Sequence, residues 1–173
     1  MRYEDIKPFT QSGTYEVNVR LLSVARTIRE YEEMGLKTNP DFQRGHVWTV
    51  EQQARYMEYV LRGGRSATVI YFNKPSWNLR ATTGYDDFVL VDGLQRITTI
   101  INYFKNKVPI FDGRYARDFE DEPRDHRGLR FNVNDLQSRA EVLDWYIGLN
   151  AGGVVHSVEE IARVRAMLEQ EKA

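Results

Sequence analysis

The chain has 173 residues, no cysteine, 42% hydrophobic and 28% charged side chains, and a formal net charge of -1. That length suits one domain of ordinary globular composition, and it excludes disulfides, thiol catalysis and Cys-ligated zinc or iron–sulfur centres. The near-zero charge excludes the global basic field of a non-specific nucleic-acid coat, although a local basic site stays open.

Residues 1–13, with Pro8 and Gly13, read as a loosely ordered lead-in. Tyr15, Val17 and Val19 alternate with Glu16 and Asn18, which predicts a first strand. Ser23 is the expected cap of a helix running to about Met34, with apolar Val24, Ile28 and Tyr31 on one face and Gly35 ending it. An irregular stretch, TNPDFQRGHVW, follows. Thr49 and Gln52 then form a capping-box pattern for a helix to Leu61, stopped by Gly63-Gly64. ATVIYF (67–72) is a buried strand by its β-branched and aromatic content, and 73–86 is a polar loop carrying Trp77, Arg80 and Tyr85.

FVLV (88–91) is the next core strand, and a helix runs from Leu94 to about Asn106. A short strand is expected at VPIF (108–111), an irregular mixed-charge stretch at 112–128 and a strand at LRFNV (129–133). A helix around 138–149 leads to LNAGG, and Ser157 with Glu160 marks the start of a last helix. There is no repeat, heptad array or low-complexity linker. The pattern is α+β, one domain over 1–173, with a small mixed sheet and surrounding helices. The polar N-terminus lacks an apolar signal core, and no stretch has the length of a membrane span, so a cytoplasmic protein without membrane contact is expected.

The strand-to-helix turn LVDGLQRITTI (90–100) poses the chemical question. Arg96 falls in the first helical turn, where the helix dipole disfavours a cation by about 0.3–1 kcal/mol. A phosphate between that arginine and the unsatisfied first N–H groups reverses the sign of the effect, and a guanidinium fork can take two of its oxygens. Gly93 would allow close backbone approach. Asp92 can cap the helix, hold Arg96, or face a magnesium ion carried by the phosphates. The plain alternative is an Asp-Gly turn with a surface arginine. In PDFQRGHVW (40–48), Trp48 reads as a core anchor and His46 as a solvent-facing or satisfied histidine.

PDFQRGHVW, VDGLQRITTI and IGLNAGGVVHSVEEI, in that order over residues 39–161, resemble the N-terminal domain of GmrS/GmrD-type modification-dependent restriction enzymes. That family is similar to the ParB N-terminal domain and to sulfiredoxin. The resemblance implies a compact ParB/sulfiredoxin-like α+β fold whose two Arg-bearing loops grip nucleotide phosphates. ParB-like members bind CTP, sulfiredoxin uses ATP, and the restriction-type members hydrolyse nucleoside triphosphates. It further implies Gln43 and Arg44 as the first loop, and Asp92, Gly93, Gln95 and Arg96 as the second. Leu94 departs from the family, which usually has glutamine there, and this puts hydrolysis more in question than binding. The missing cysteine rules out sulfiredoxin's reductase chemistry.

The expected ligand is therefore a nucleoside triphosphate with Mg2+, its base unspecified. Gln43, Arg44, Gly93, Arg96, Thr98 and Asn150 are expected to bind it. Asp92, Gln95 and Arg96 would be catalytic, with Asp92 also facing the metal and Gln95 orienting water or phosphate. Nucleoside triphosphatase activity, or nucleotide gating in DNA restriction, defence or processing, is the leading function. Two alternatives stand beside it: a DNA-binding or DNA-cleaving module that contacts DNA phosphates directly, and a degenerate adaptor that does not hydrolyse. A nuclease site is disfavoured, because no Asp/Glu-x-Lys triplet follows Pro40-Asp41. Asp118, Glu120, Asp121 and Glu122 read as a solvated acidic loop rather than a metal site. A protein partner or a second copy of the chain is left open.

Overall fold

The computed structural model describes residues 2, 6, 15–77, 81–124, 128–150 and 158–172. These residues form an α+β fold with strands β1 (Tyr15–Arg20), β2 (Val69–Asn73), β3 (Val89–Asp92) and β4 (Gly128–Asn134). The helices are α1 (Val24–Glu33), α2 (Val50–Leu61), α3 (Leu94–Phe104), α4 (Arg139–Asn150) and α5 (Val158–Lys172). Most of the lead-in, Arg80, Gly152, Gly153 and Ser157 lie outside the described residues. Among the described residues, no helix is long and apolar enough to cross a membrane.

The sheet order is β1-β4-β2-β3. β4 runs antiparallel to β1 and parallel to β2, with Val69 opposite Arg130 and Phe72 opposite Val133. β2 and β3 are antiparallel, with an irregularity between Tyr71 and Phe72. β3 is the last strand of the order, and the chain just after α1 covers its outer side: Lys37 N–H donates to Phe88 O at 2.8 Å, and Leu90 N–H to Lys37 O at 3.0 Å. Covering an edge in this way blocks stray strand pairing.

Helices lie on both faces of the sheet, so Val89, Leu90 and Val91 of β3 are all apolar and buried, as a doubly covered strand requires. On one face Ile70, Phe72, Leu90, Phe131 and Val133 pack with Val24, Ile28, Met57, Val60, Ile97 and Ile100. On the other, Val89 and Val91 pack with Phe42, Leu143, Trp145, Tyr146, Val164 and Leu168. Trp77 packs 5.5 Å from both Tyr15 and Tyr31 and 5.6 Å from Phe88, which pins the 73–86 loop to the core. The indole is therefore a structural anchor.

Local chemistry sets the helix ends. α1 stops at Gly35, φ +93°, where Leu36 N–H donates to Tyr31 O and Gly35 N–H to Glu32 O. Those two bonds satisfy the last helical carbonyls. Thr49 and Gln52 close the expected capping box on α2, at 2.9 and 3.3 Å. α3 ends at Phe104, two residues before Asn106, which takes the glycine-like φ of +56°.

Two local expectations fail. Ser23 makes no capping bond; it is the last residue of a 3-10 turn, Leu21–Ser23, whose Leu21 carbonyl accepts the Val24 N–H. Residues 108–111 form no strand. Val108 and Ile110 are buried, but Ile110 pairs only with Arg114, because Phe111, Asp112 and Gly113 all take positive φ and reverse the chain at once. Burial without a partner strand gave that segment its strand-like composition.

Candidate functional site

β3 ends at Asp92, Gly93 turns the chain, and α3 begins at Leu94. Gly93 has φ +119°, and a Cβ there would stand 2.5 Å from Ile70 Cδ1. Both facts require glycine. No side chain caps α3, so Asp92 does not act as its N-cap. Instead Asp92 accepts from Arg96 Nη2, while Arg96 Nη1 donates to the Val69 carbonyl on β2. The arginine in the first helical turn thus has a tertiary role: it ties the start of α3 back to the sheet and carries its own counter-charge.

Gln95 reaches the other way. Its Oε1 accepts from Val47 N–H at 3.0 Å and Trp48 N–H at 3.2 Å, and its Nε2 donates to Gly45 O at 3.1 Å. An amide has two donors and one doubly accepting oxygen, so the side chain is largely occupied in holding the 45–48 loop. Gln43 similarly donates to the Leu90 carbonyl on β3. Both glutamines act as clips that set the first loop against the second.

The two loops and the end of α4 enclose a cavity of about 280 Å³. Gln43, Arg44, Asp92, Gly93, Gln95, Arg96 and Asn150 all line it. Thr98 does not; it lies one turn further along α3. His46 is exposed and outside the lining. Asn150 is buried, with its Nδ2 donating to Tyr146 O at 2.7 Å.

The lining also includes Trp48, Leu94, Tyr146 and Leu149, which the sequence reading did not place in a site. A signal existed for two of them, since Tyr146, Leu149 and Asn150 share one helical face at i, i+3 and i+4. Trp48 packs 5.4 Å from Tyr56 and so anchors the loop while showing one side to the cavity. Burial pushes the Tyr146 hydroxyl up to about 12, with Glu160 raising it further and Arg44 opposing. Tyr146 therefore stays a neutral hydrogen-bonding group at physiological pH.

Arg44 Nη1 lies 3.4 Å from Glu160 Oε2, on the first turn of α5. The same helix holds the preceding loop residues: Arg163 donates to the carbonyls of Asp41 at 2.9 Å and Phe42 at 2.8 Å. Arg139 of α4 forks onto Asp41 at 3.1 and 2.9 Å and onto Glu171 of α5 at 2.9 Å. Among the described residues, no group of three or more His, Cys, Asp or Glu side chains could hold a metal ion.

Residues 25–131 match the GmrSD restriction endonuclease N-terminal domain, over more than half of the chain. The chain belongs to that family. No curated protein matches it. Within the GmrSD family match lie all of α1 but its first residue, α2, α3, both arginine loops and the beginning of β4. Tyr146, Leu149 and Asn150 lie beyond it, so the cavity has one wall supplied by α4, outside the matched segment. Membership establishes a DNA-restriction context for the domain.

Proposed function

We propose that the domain binds a nucleoside triphosphate with Mg2+ in this cavity and works as a nucleoside triphosphatase or nucleotide-gated module in DNA restriction, defence or processing. The observation that carries this reading is convergence: Arg44 and Arg96, from two separate loops, line one cavity together with a glycine-led, uncapped helix start. Unsatisfied helical N–H groups and guanidinium forks are complementary to phosphate oxygens. Trp48, Leu94 and Leu149 supply an apolar wall suited to a base or ribose. The volume is near the lower edge of the range for small-molecule sites, about 300–1,000 Å³.

In this reading Arg44 and Arg96 hold the phosphates, and Gly93 lets the first α3 N–H groups complete the cradle. Arg96 Nη2, now on Asp92, is the donor that a phosphate oxygen would receive. Among the described residues Asp92 is the one carboxylate in the lining, and it would hold a phosphate-borne magnesium, which neutralises charge on the ligand. Gln95 and Gln43 position the loop that carries Arg44. Asn150 and Tyr146 offer neutral polar contacts at the far wall.

The test is phosphate release from ATP, GTP, CTP and UTP with magnesium, each with and without duplex DNA, alongside direct binding of each nucleotide. Arg44→Ala is the informative variant, because Arg96 also holds Val69 and its loss would disturb the fold. Binding of one nucleotide, weakened at least tenfold in Arg44→Ala, is the expected result. Binding without turnover would make the domain a gated module and point to Leu94 as the reason. No binding of any nucleotide would refute the reading. Direct DNA contact by the same arginines predicts nucleotide-independent binding that falls steeply with salt.

A further inference from the structure

The arginine of the first loop meets a carboxylate before it meets any ligand. We infer that Glu160 of α5 is an internal stand-in for phosphate on Arg44, which a polyphosphate ligand must displace, so that α5 sets the affinity of the site. The inference rests on the nucleotide-binding proposal above and adds to it a determinant of affinity.

The geometry supports displacement rather than joint occupancy. Glu160 Oε2 is 3.4 Å from Arg44 Nη1, and the two side chains are only 10% and 30% exposed. A carboxylate and a phosphate use the same guanidinium N–H groups. A carboxylate left in place would stand beside the incoming negative charge in a partly desolvated setting, where repulsion is weakly screened. Arg44 lines the cavity and Glu160 meets it from α5, so a phosphate drawn to Arg44 competes for a guanidinium that Glu160 already holds.

α5 stays attached without this ion pair. Arg163 binds the carbonyls of Asp41 and Phe42, and Arg139 bridges Asp41 to Glu171. Val164 and Leu168 are buried against α4 and β3. Removing the charge of Glu160 therefore leaves the helix docked and the loop in place.

The experiment compares the wild-type chain with Glu160→Gln and with Glu169→Gln. The second variant removes an equal charge from an exposed position on the same helix, where Glu169 pairs only loosely with Lys172 at 4.0 Å. Binding is measured by calorimetry for ATP, GTP, CTP, UTP and inorganic tripolyphosphate, each with magnesium, and urea unfolding checks that all three proteins fold equally well. Glu160→Gln is expected to tighten binding at least tenfold, with Glu169→Gln unchanged. Equal or weaker binding by Glu160→Gln, with the wild type binding, would overturn the stand-in role and leave the nucleotide site intact. Equal tightening in both variants would also overturn it, because general electrostatics would then suffice. No binding by any of the three would overturn this inference together with the nucleotide reading.

Discussion

Gly93→Ala isolates the joint on which the site is built. The residue sits at φ +119°, and the added methyl would lie 2.5 Å from Ile70 Cδ1 and 3.0 Å from Ile70 Cγ2. Left-handed backbone costs an L-residue about 1–2 kcal/mol. Overpacking against a fully buried isoleucine costs about 1–3 kcal/mol, since a close-packed core offers little room for a new rotamer. The expected loss is about 2–5 kcal/mol, a large share of the roughly 5–15 kcal/mol that holds a domain folded. For a chain of this size the melting temperature should drop by on the order of 10 °C.

The assay is urea unfolding of wild type, Gly93→Ala, Ile70→Val and the double variant. Ile70→Val alone should cost about 0.5–1.5 kcal/mol, but it removes the methyl that the new Cβ meets. The double variant should therefore be more stable than the sum of the singles by about 1–3 kcal/mol, with the backbone term and the 3.0 Å Cγ2 contact left behind. A loss below about 1 kcal/mol in Gly93→Ala would refute the reasoning. Absence of coupling would assign the whole loss to backbone conformation.

Two further outcomes follow from the same contacts. Gln95→Leu removes three bonds to the 45–48 loop and should cost about 1–2 kcal/mol; its specific signature is faster hydrogen exchange of the Val47 and Trp48 amides, and unchanged protection there would reject the clip. Arg139 holds the Asp41 carboxyl below its ordinary value of 3.8, chiefly through hydrogen bonding. A folded pKa below the unfolded one stabilises fully above pH 3.8 and is lost as pH falls through the lower folded value. Asp41 is largely exposed, so the contribution is at most about 1 kcal/mol, and Asp41→Asn should flatten only the acid limb of the stability profile.

The same contacts separate what could be read locally from what could not. The Thr49–Gln52 box, the Gly35 stop and the apolar run of β3 are consequences of neighbouring residues, and each forms as its spacing predicts. The turn that carries Arg96 was also legible, because an arginine in a first helical turn is locally unfavourable and calls for a partner; the Arg44 loop was legible through the family resemblance. Asp92 was one partner the sequence offered; the second was not legible. Asp92 lies one turn away in sequence, but Val69 is on another strand, and only the antiparallel pairing of β2 with β3 brings it to Arg96.

The sequence by itself determined the helices, the strands of the sheet, the absence of thiol chemistry and the turn that carries Arg96. These depend on side-chain periodicity, capping and composition, which act over a few residues. Tertiary structure decided that Gln95 clips the first loop, that Trp77 is a core anchor, and that residues 108–111 find no strand to pair with. It also decided that Glu160 faces Arg44. Each of these is a meeting of groups distant along the chain, selected by sheet order and by helices docking on both faces, and no local propensity encodes which distant surface a side chain will meet.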